Sequence, residues 1–188
     1  MKQLIIYFFI SLTVISCNST GSNPSAAIEK EVKSLTTNEA KREFLLNVLT
    51  TDQKYRNEQE EAVLKQGKDS QAYKDFIAER DKMGRENYLK IDQYISVYGH
   101  PKPFNVGLNL TATPCTVIHH SGTLEEQMKH YPVLYKAYKK GHFTNFIFLK
   151  YLRGMYELKF NKYLKIKSPY TEDDEIAALE AALGISGK

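Results

Sequence analysis

Helical periodicity and the placement of proline leave this chain few ways to fold. Two long stretches set apolar residues on one face of a 3.6-residue repeat: Leu45, Leu49 and Val63 within Asn38 to Gln66, then Tyr73, Ile77, Ile91, Ile95 and Tyr98 within Ser70 to Tyr98. Gly67 is a stop signal between them. The second stripe runs into Gly99-His100-Pro101-Lys102-Pro103, which no helix crosses, because proline lacks the amide donor and its ring clashes with the preceding turn. Phe104 to Asn109 reads as loop. Thr113-Pro114 reads as an N-cap and first helical residue, opening a short helix towards His120. Thr123 to Glu126 matches a capping box; its helix is expected to break near Pro132, resume, and stop at Gly141. Thr144 to Lys165 reads as another helix, and Thr171 followed by acids caps a last one ending near Gly184. Strand-like alternation is scarce. The expected fold is all-α, a single irregular or orthogonal helical bundle over residues 38–184.

The amino-terminal end is of another kind. Met1-Lys2-Gln3 precedes an apolar run from Leu4 to Ile15, broken only by Ser11 and Thr13. A membrane-spanning helix needs about 20 apolar residues, so this shorter run reads as a cleavable signal over residues 1–16. Val14-Ile15-Ser16-Cys17 resembles the lipobox of bacterial lipoproteins. The resemblance implies diacylation of the Cys17 sulfur, cleavage before it and acylation of the new terminus. Several acyl chains hold a protein on a membrane where one is marginal. Asn18 to Ser25 is small, polar and low in complexity, and residues 17–37 are expected to serve as lipidated cysteine and flexible tether. Asn18 stands where an Asp would favour retention at the inner membrane, which leans towards the outer one. With Cys17 lipidated, Cys115 is the sole remaining cysteine, so stability must come from packing and not from an intrachain disulfide.

Polar residues on the apolar stripes are the functional clue. Continuing the first stripe from Leu45 and Leu49 brings Asp52, Arg56 and Gln59 to the same face; an acid and a base four apart can contact on a helix. The second passes through Arg80 or Asp81 and Gly84 to Asn87 or Tyr88. In the third helix Val117 and Ile118 lead into His119 and His120. Buried charge is costly unless paired and hydrogen-bonded, so these groups either satisfy one another or serve a ligand. The first alternative is a buried ion pair and a capping histidine that fix helix packing, in a non-enzymatic binding or scaffolding module. The second is a hydrolase-like site for an anionic or glycan substrate. There Asp52 is a base or orienting acid, Arg56 an anion clamp, and His120 or His119 an acid/base. A closed interior favours the first. A cleft with His120 within hydrogen-bond reach of Asp52 favours the second.

Asp52-Gln53-x-x-Arg56, Gly99-x-Pro101, Val106-Gly107, the apolar run into His119-His120, Gln127 and the Tyr151-Leu152 helix together resemble a family of bacterial domains of unknown function. The resemblance covers Leu45 to Tyr156 and implies a helical fold, with Asp52, Gln53, Arg56, His120 and Gln127 as the positions to watch. It brings no established activity. The chain departs from the pattern at Gly154-Met155, where many members carry Asp-Arg, and it lacks their Gln-x-Tyr-Gly ending.

Other chemistry is less supported. Cys115 and His119, four apart, can share a helix face as nucleophile and base, although a lone cysteine is more often a small core residue. Adjacent histidines in a helix point about 100° apart, so His119 and His120 do not suit one ion; zinc on one of them with Asp52 and His142 is the remaining metal arrangement. No His-Glu-x-x-His, Cys-x-x-Cys, P-loop or nucleophile-elbow motif is present, and no cofactor or metal is expected. Between Lys129 and Lys167 ten basic residues meet a single acid, Glu157, and interleave with ten aromatics. For an exported chain this face suits anionic lipid headgroups or envelope glycans better than nucleic acid. The alternative is a solvated basic face whose aromatics are core.

Overall fold

A computed structural model describes residues 24–56 and 58–185. The fold is all-α. The described residues form ten helices and no strand: α1 (Pro24–Lys33), α2 (Asn38–Lys54), α3 (Glu58–Leu64), α4 (Gln71–Tyr98), α5 (Pro103–Val106), α6 (Leu108–Thr111), α7 (Thr113–Ser121), α8 (Leu124–Lys139), α9 (Asn145–Phe160) and α10 (Glu172–Leu183). The proposed signal peptide, Cys17 and the first part of the tether lie outside the described residues.

The short helix α7 is the hub. Its Cys115, Val117 and Ile118 are fully buried, and α2, α4, α8 and α9 pack around it. Burying such aliphatic side chains stabilises by about 1.5–3 kcal/mol each, so a nine-residue helix that would not persist alone is held by its neighbours. Leu45 and Val48 of α2, Tyr88, Ile91 and Tyr94 of α4, and Phe148, Leu149 and Leu152 of α9 complete the core. Aromatics from the basic stretch lie inside it: Tyr138 stacks on Phe148 with centroids 4.3 Å apart, and Tyr131, Phe143 and Tyr151 are buried beside them. These rings are packing elements and are not free to stack on a ligand.

Helix ends follow the capping chemistry. Thr37 and Ser70 accept from the backbone amides of Ala40 and Tyr73. Thr123 with Glu126, and Thr171 with Asp174, make reciprocal capping boxes. Arg153 of α9 grips Glu175 of α10 with two parallel bonds of 2.6 and 2.7 Å, clamping the last helix to the body.

Several expected boundaries move. Asn38 to Gln66 is two helices: α2 ends in a tightened turn in which the Arg56 amide donates to the Gln53 carbonyl, three residues back. Thr113 is no N-cap; Ala112 precedes it in helical conformation, and Thr113 is buried with its hydroxyl unpartnered. Phe104 to Asn109 is not plain loop but parts of the short turns α5 and α6. Helix α8 runs through Pro132, because flanking His130, Tyr131 and Leu134 are buried and their packing outweighs one lost backbone bond. Helix α9 stops at Phe160, where Asn161 turns left-handed (φ 51°).

The stretch assigned to the tether is also partly structured. Residues 24–33 form α1, whose Ile28 and Val32 are buried against α4. The Tyr98 hydroxyl lies 2.9 Å from both the Val32 and Leu35 carbonyls, fixing the end of α1 to the end of α4. The packed body therefore begins by residue 24, not at 38.

Candidate functional site

The end of α2 delivers Asp52, Gln53 and Arg56 to the carboxyl end of α7. The Asp52 side chain is 1% exposed. Its Oδ2 accepts from Gln53 Nε2 at 2.8 Å and faces His120 Nδ1 at 2.7 Å. Oδ1 lies 3.5 Å from Arg56 Nε, and neither of these two atoms has a hydrogen-bond partner. The Arg56 guanidinium instead reaches across through Nη2 to the His120 carbonyl at 3.3 Å. Asp52 and Arg56 therefore attract each other without saturating each other.

A carboxylate only accepts, so the 2.7 Å contact assigns the hydrogen to His120 Nδ1. The opposite nitrogen, Nε2, has no protein partner among the described residues, on a ring that is 20% exposed. His119 is placed differently. Burial lowers its basicity to about 4, with a further contribution from the charges of His120 and Arg56, and its Nδ1 has no hydrogen-bond partner. It is a neutral ring at neutral pH. The ring fits because residue 154 is glycine: a Cβ there would stand 2.5 Å from His119 Nδ1.

His120 borders three adjoining hollows. One of about 410 Å³ is walled by Gln53, Arg56, Thr116, His119, Phe146 and Lys150. A second of about 340 Å³ runs past Arg80, Gly84 and Arg85, and a third of about 580 Å³ past Gly122, Gln127 and Gly154. The lining sets Arg56, Arg80, Arg85 and Lys150 against Glu60, Asp81 and Glu157. Arg80 is held by Glu60 and Asp81, and Arg85 by Glu126. Lys150 has no carboxylate partner among the described residues and lies 4.5 Å from the centre of the half-exposed Phe146 ring. Arg56, Lys150 and His120 thus surround a water-accessible cleft. That arrangement can hold an anion and move a proton at one nitrogen.

Of the residues expected from sequence, Asp52, Gln53, Arg56, His119 and His120 are brought together. Gln127 adjoins them as a brace: Nε2 donates to the His119 and Gly122 carbonyls at 3.2 Å, Oε1 is buried without a partner, and its own carbonyl accepts from Tyr151. On the second stripe Gly84 lets the cleft approach α4, whereas Asn87 and Tyr88 are core.

Two of the less supported arrangements are not formed. Cys115 makes no dyad with His119; its sulfur contacts the Ile147 carbonyl at 4.0 Å, and burial pushes the thiol far above its ordinary range, so no thiolate forms. His142 does not join Asp52; its ring meets His100 at a tilt, with their Nδ1 atoms 3.4 Å apart. Among the described residues no group of three or more His, Cys, Asp or Glu is placed to hold a metal ion.

Sequence reading missed Lys150, Phe146, Thr116 and Gly154. Phe146 and Lys150 had the i, i+4 spacing of a shared helix face, but inside a long basic and aromatic stretch that spacing carries no distinguishing signal. It also missed His130, buried between Asp92 (3.0 Å) and Tyr88 (3.5 Å) as a packing brace. Comparison with known proteins finds no matching family model, curated protein or solved structure.

Proposed function

We propose that this chain is a bacterial lipoprotein, anchored in the cell envelope through Cys17, whose folded body binds an anionic ligand in the cleft at Arg56, His120 and Lys150. One observation carries the binding reading over a purely scaffolding one. Asp52 Oδ1 and Arg56 Nε face each other at 3.5 Å with no hydrogen bond, at the edge of an open cleft. A pair kept only for packing would be expected to close, since an unsatisfied buried polar atom costs about 1–3 kcal/mol. Phosphate or carboxylate groups fit a guanidinium and an ammonium on opposite walls.

The test is titration of the purified chain with inorganic phosphate, followed by calorimetry and by the imidazole resonances of His120. Saturable binding that weakens about tenfold in Lys150→Ala, a loss of roughly 1.4 kcal/mol, is the expected result. Lys150 is exposed, so that variant keeps the fold. Absent or unchanged binding would overturn the reading. The anchor is tested by the intact mass of membrane-extracted protein. A chain starting at an acylated Cys17 is expected, and an unmodified chain still carrying residues 1–16 contradicts it.

The 2.7 Å Asp52–His120 contact favours a second reading, hydrolysis of an anionic ester. His120 Nε2 would take a proton from water while Asp52 steadies the imidazolium. The hydroxide would add to the carbonyl carbon or phosphorus, the bond to the leaving oxygen would break, and His120 would return the proton to it. Base catalysis of this kind contributes about 10²–10⁴-fold. Turnover of p-nitrophenyl esters or phosphates that His120→Gln lowers by about that factor supports this reading, and turnover indifferent to that variant removes it.

A further inference from the structure

The end of the body around α5 and α6 carries a feature that neither the cleft nor the core uses. Phe104 is 95% exposed and Leu108 60% exposed, the two most exposed large aliphatic or phenylalanine side chains among the described residues. They are not the ends of a frayed loop. Val106 (2% exposed) and Leu110 (7%) pin the two short turns to the core. Gly107, in a left-handed conformation (φ 85°), makes the bend between the turns. The Thr111 hydroxyl ties α6 to the carbonyls of Leu108 and His142. The apolar tips are thus presented on fixed backbone, at the cost of exposing them to water.

Along the chain, the charge on either side of them is one-sided. Lys102 is exposed beside Phe104, and between Asp92 and Glu125 the chain has no acidic residue at all. An apolar tip flanked by a lysine with no carboxylate near it in sequence is suited to an anionic bilayer surface, where headgroups attract the cation and the acyl boundary accepts the rings and methyls.

Chain length adds a second argument. Only residues 18–23 separate Cys17 from α1, and a chain spans at most about 3.3–3.6 Å per residue, so the anchor holds the body within roughly 25 Å of the membrane. The tether enters α1 at Pro24, and the far end of that ten-residue helix is fastened to Tyr98, six residues before Phe104. A body held that closely is within reach of the lipid surface.

We infer that the Phe104–Leu108 tip is that face, inserting into the headgroup and acyl boundary of the bilayer that carries the anchor. This rests on the lipid-anchored part of the proposed function and is independent of the cleft. The chain has no tryptophan, so Phe104→Trp makes the tip the sole reporter. The acylated protein is reconstituted into phosphatidylglycerol–phosphatidylethanolamine vesicles, with Tyr163→Trp, 72% exposed on the native chain, as a second single-tryptophan form. Blue-shifted emission from position 104, quenched by lipids brominated on the acyl chains, with aqueous emission from position 163, is the expected result. If the protein floats with the vesicles while position 104 stays aqueous, the tip is not a membrane contact and the anchor stands. If the protein does not float with the vesicles, the anchor fails and the tip with it.

Discussion

His120 and Asp52 meet at 2.7 Å across 68 residues of chain, joining the end of α2 to the end of the central helix α7. The contact closes a structural joint and at the same time points the other imidazole nitrogen at solvent.

Asp52→Asn keeps the shape and removes the charge. Removing one partner of a buried structural ion pair costs about 3–5 kcal/mol. Because Arg56 is partly exposed and bonded to the His120 carbonyl instead, a smaller loss of about 1–2 kcal/mol is expected here in urea unfolding, as for an ordinary buried hydrogen bond. Phosphate affinity should rise, because a negative charge beside Arg56 is removed. A loss above about 3 kcal/mol with unchanged phosphate affinity would make Asp52 a fold residue only.

Gly154→Ala tests the seat of His119. Alanine is favoured over glycine inside a helix by about 1 kcal/mol, but its Cβ would meet the His119 ring at 2.5 Å. The variant should be destabilised by roughly 1–3 kcal/mol through overpacking. In a His119→Ala background the sign should reverse, with Gly154→Ala stabilising by about 1 kcal/mol. A cycle showing no coupling would place the ring elsewhere.

Burial holds both His100 and His119 down to about 4. An unfolded histidine takes up its proton near 6.5. Between these values the unfolded chain binds more protons, so stability is full above about pH 6.5 and declines as pH falls towards 4. At pH 5 the loss should be roughly 2 kcal/mol for each ring. Urea unfolding from neutral pH down to pH 5 measures it, and the double variant His100→Gln, His119→Gln should flatten the dependence. A slope unaltered in that variant would assign the decline to other groups.

Cys115 is 1% exposed and its thiol stays protonated. Maleimide should label it only as fast as the protein opens, and Cys115→Ala should leave phosphate binding and any ester turnover unchanged. Prompt labelling of the folded chain, or loss of turnover in Cys115→Ala, would restore the cysteine as a candidate nucleophile.

The all-α fold was readable from the stripes and caps because both are local: Thr123 and Thr171 need only their own first turns to form capping boxes. Asp52 and Arg56 stood out because leucine was the residue their positions called for. The breaks were harder. Pro132 is tolerated because distant side chains press on α8, and the end of α2 at Lys54 is set where Asp52 and Arg56 turn to meet α7, neither of which a window of sequence contains. Gly154 drew notice only as a departure from a family pattern, although its missing side chain is what admits His119. The opposite wall of the cleft, Phe146 and Lys150, depends on how α9 crosses α7, a long-range relation that no spacing within α9 encodes.

Helix α1 is joined to the rest through its buried stripe and through one tyrosine hydroxyl at the end of α4. Any force transmitted along a membrane tether would enter the body there. It would be borne first by a ten-residue helix, far from α7 in sequence and linked to it through α4. The Ile28–Val32 stripe and the Tyr98 hydroxyl would then carry that load before the hub helix does.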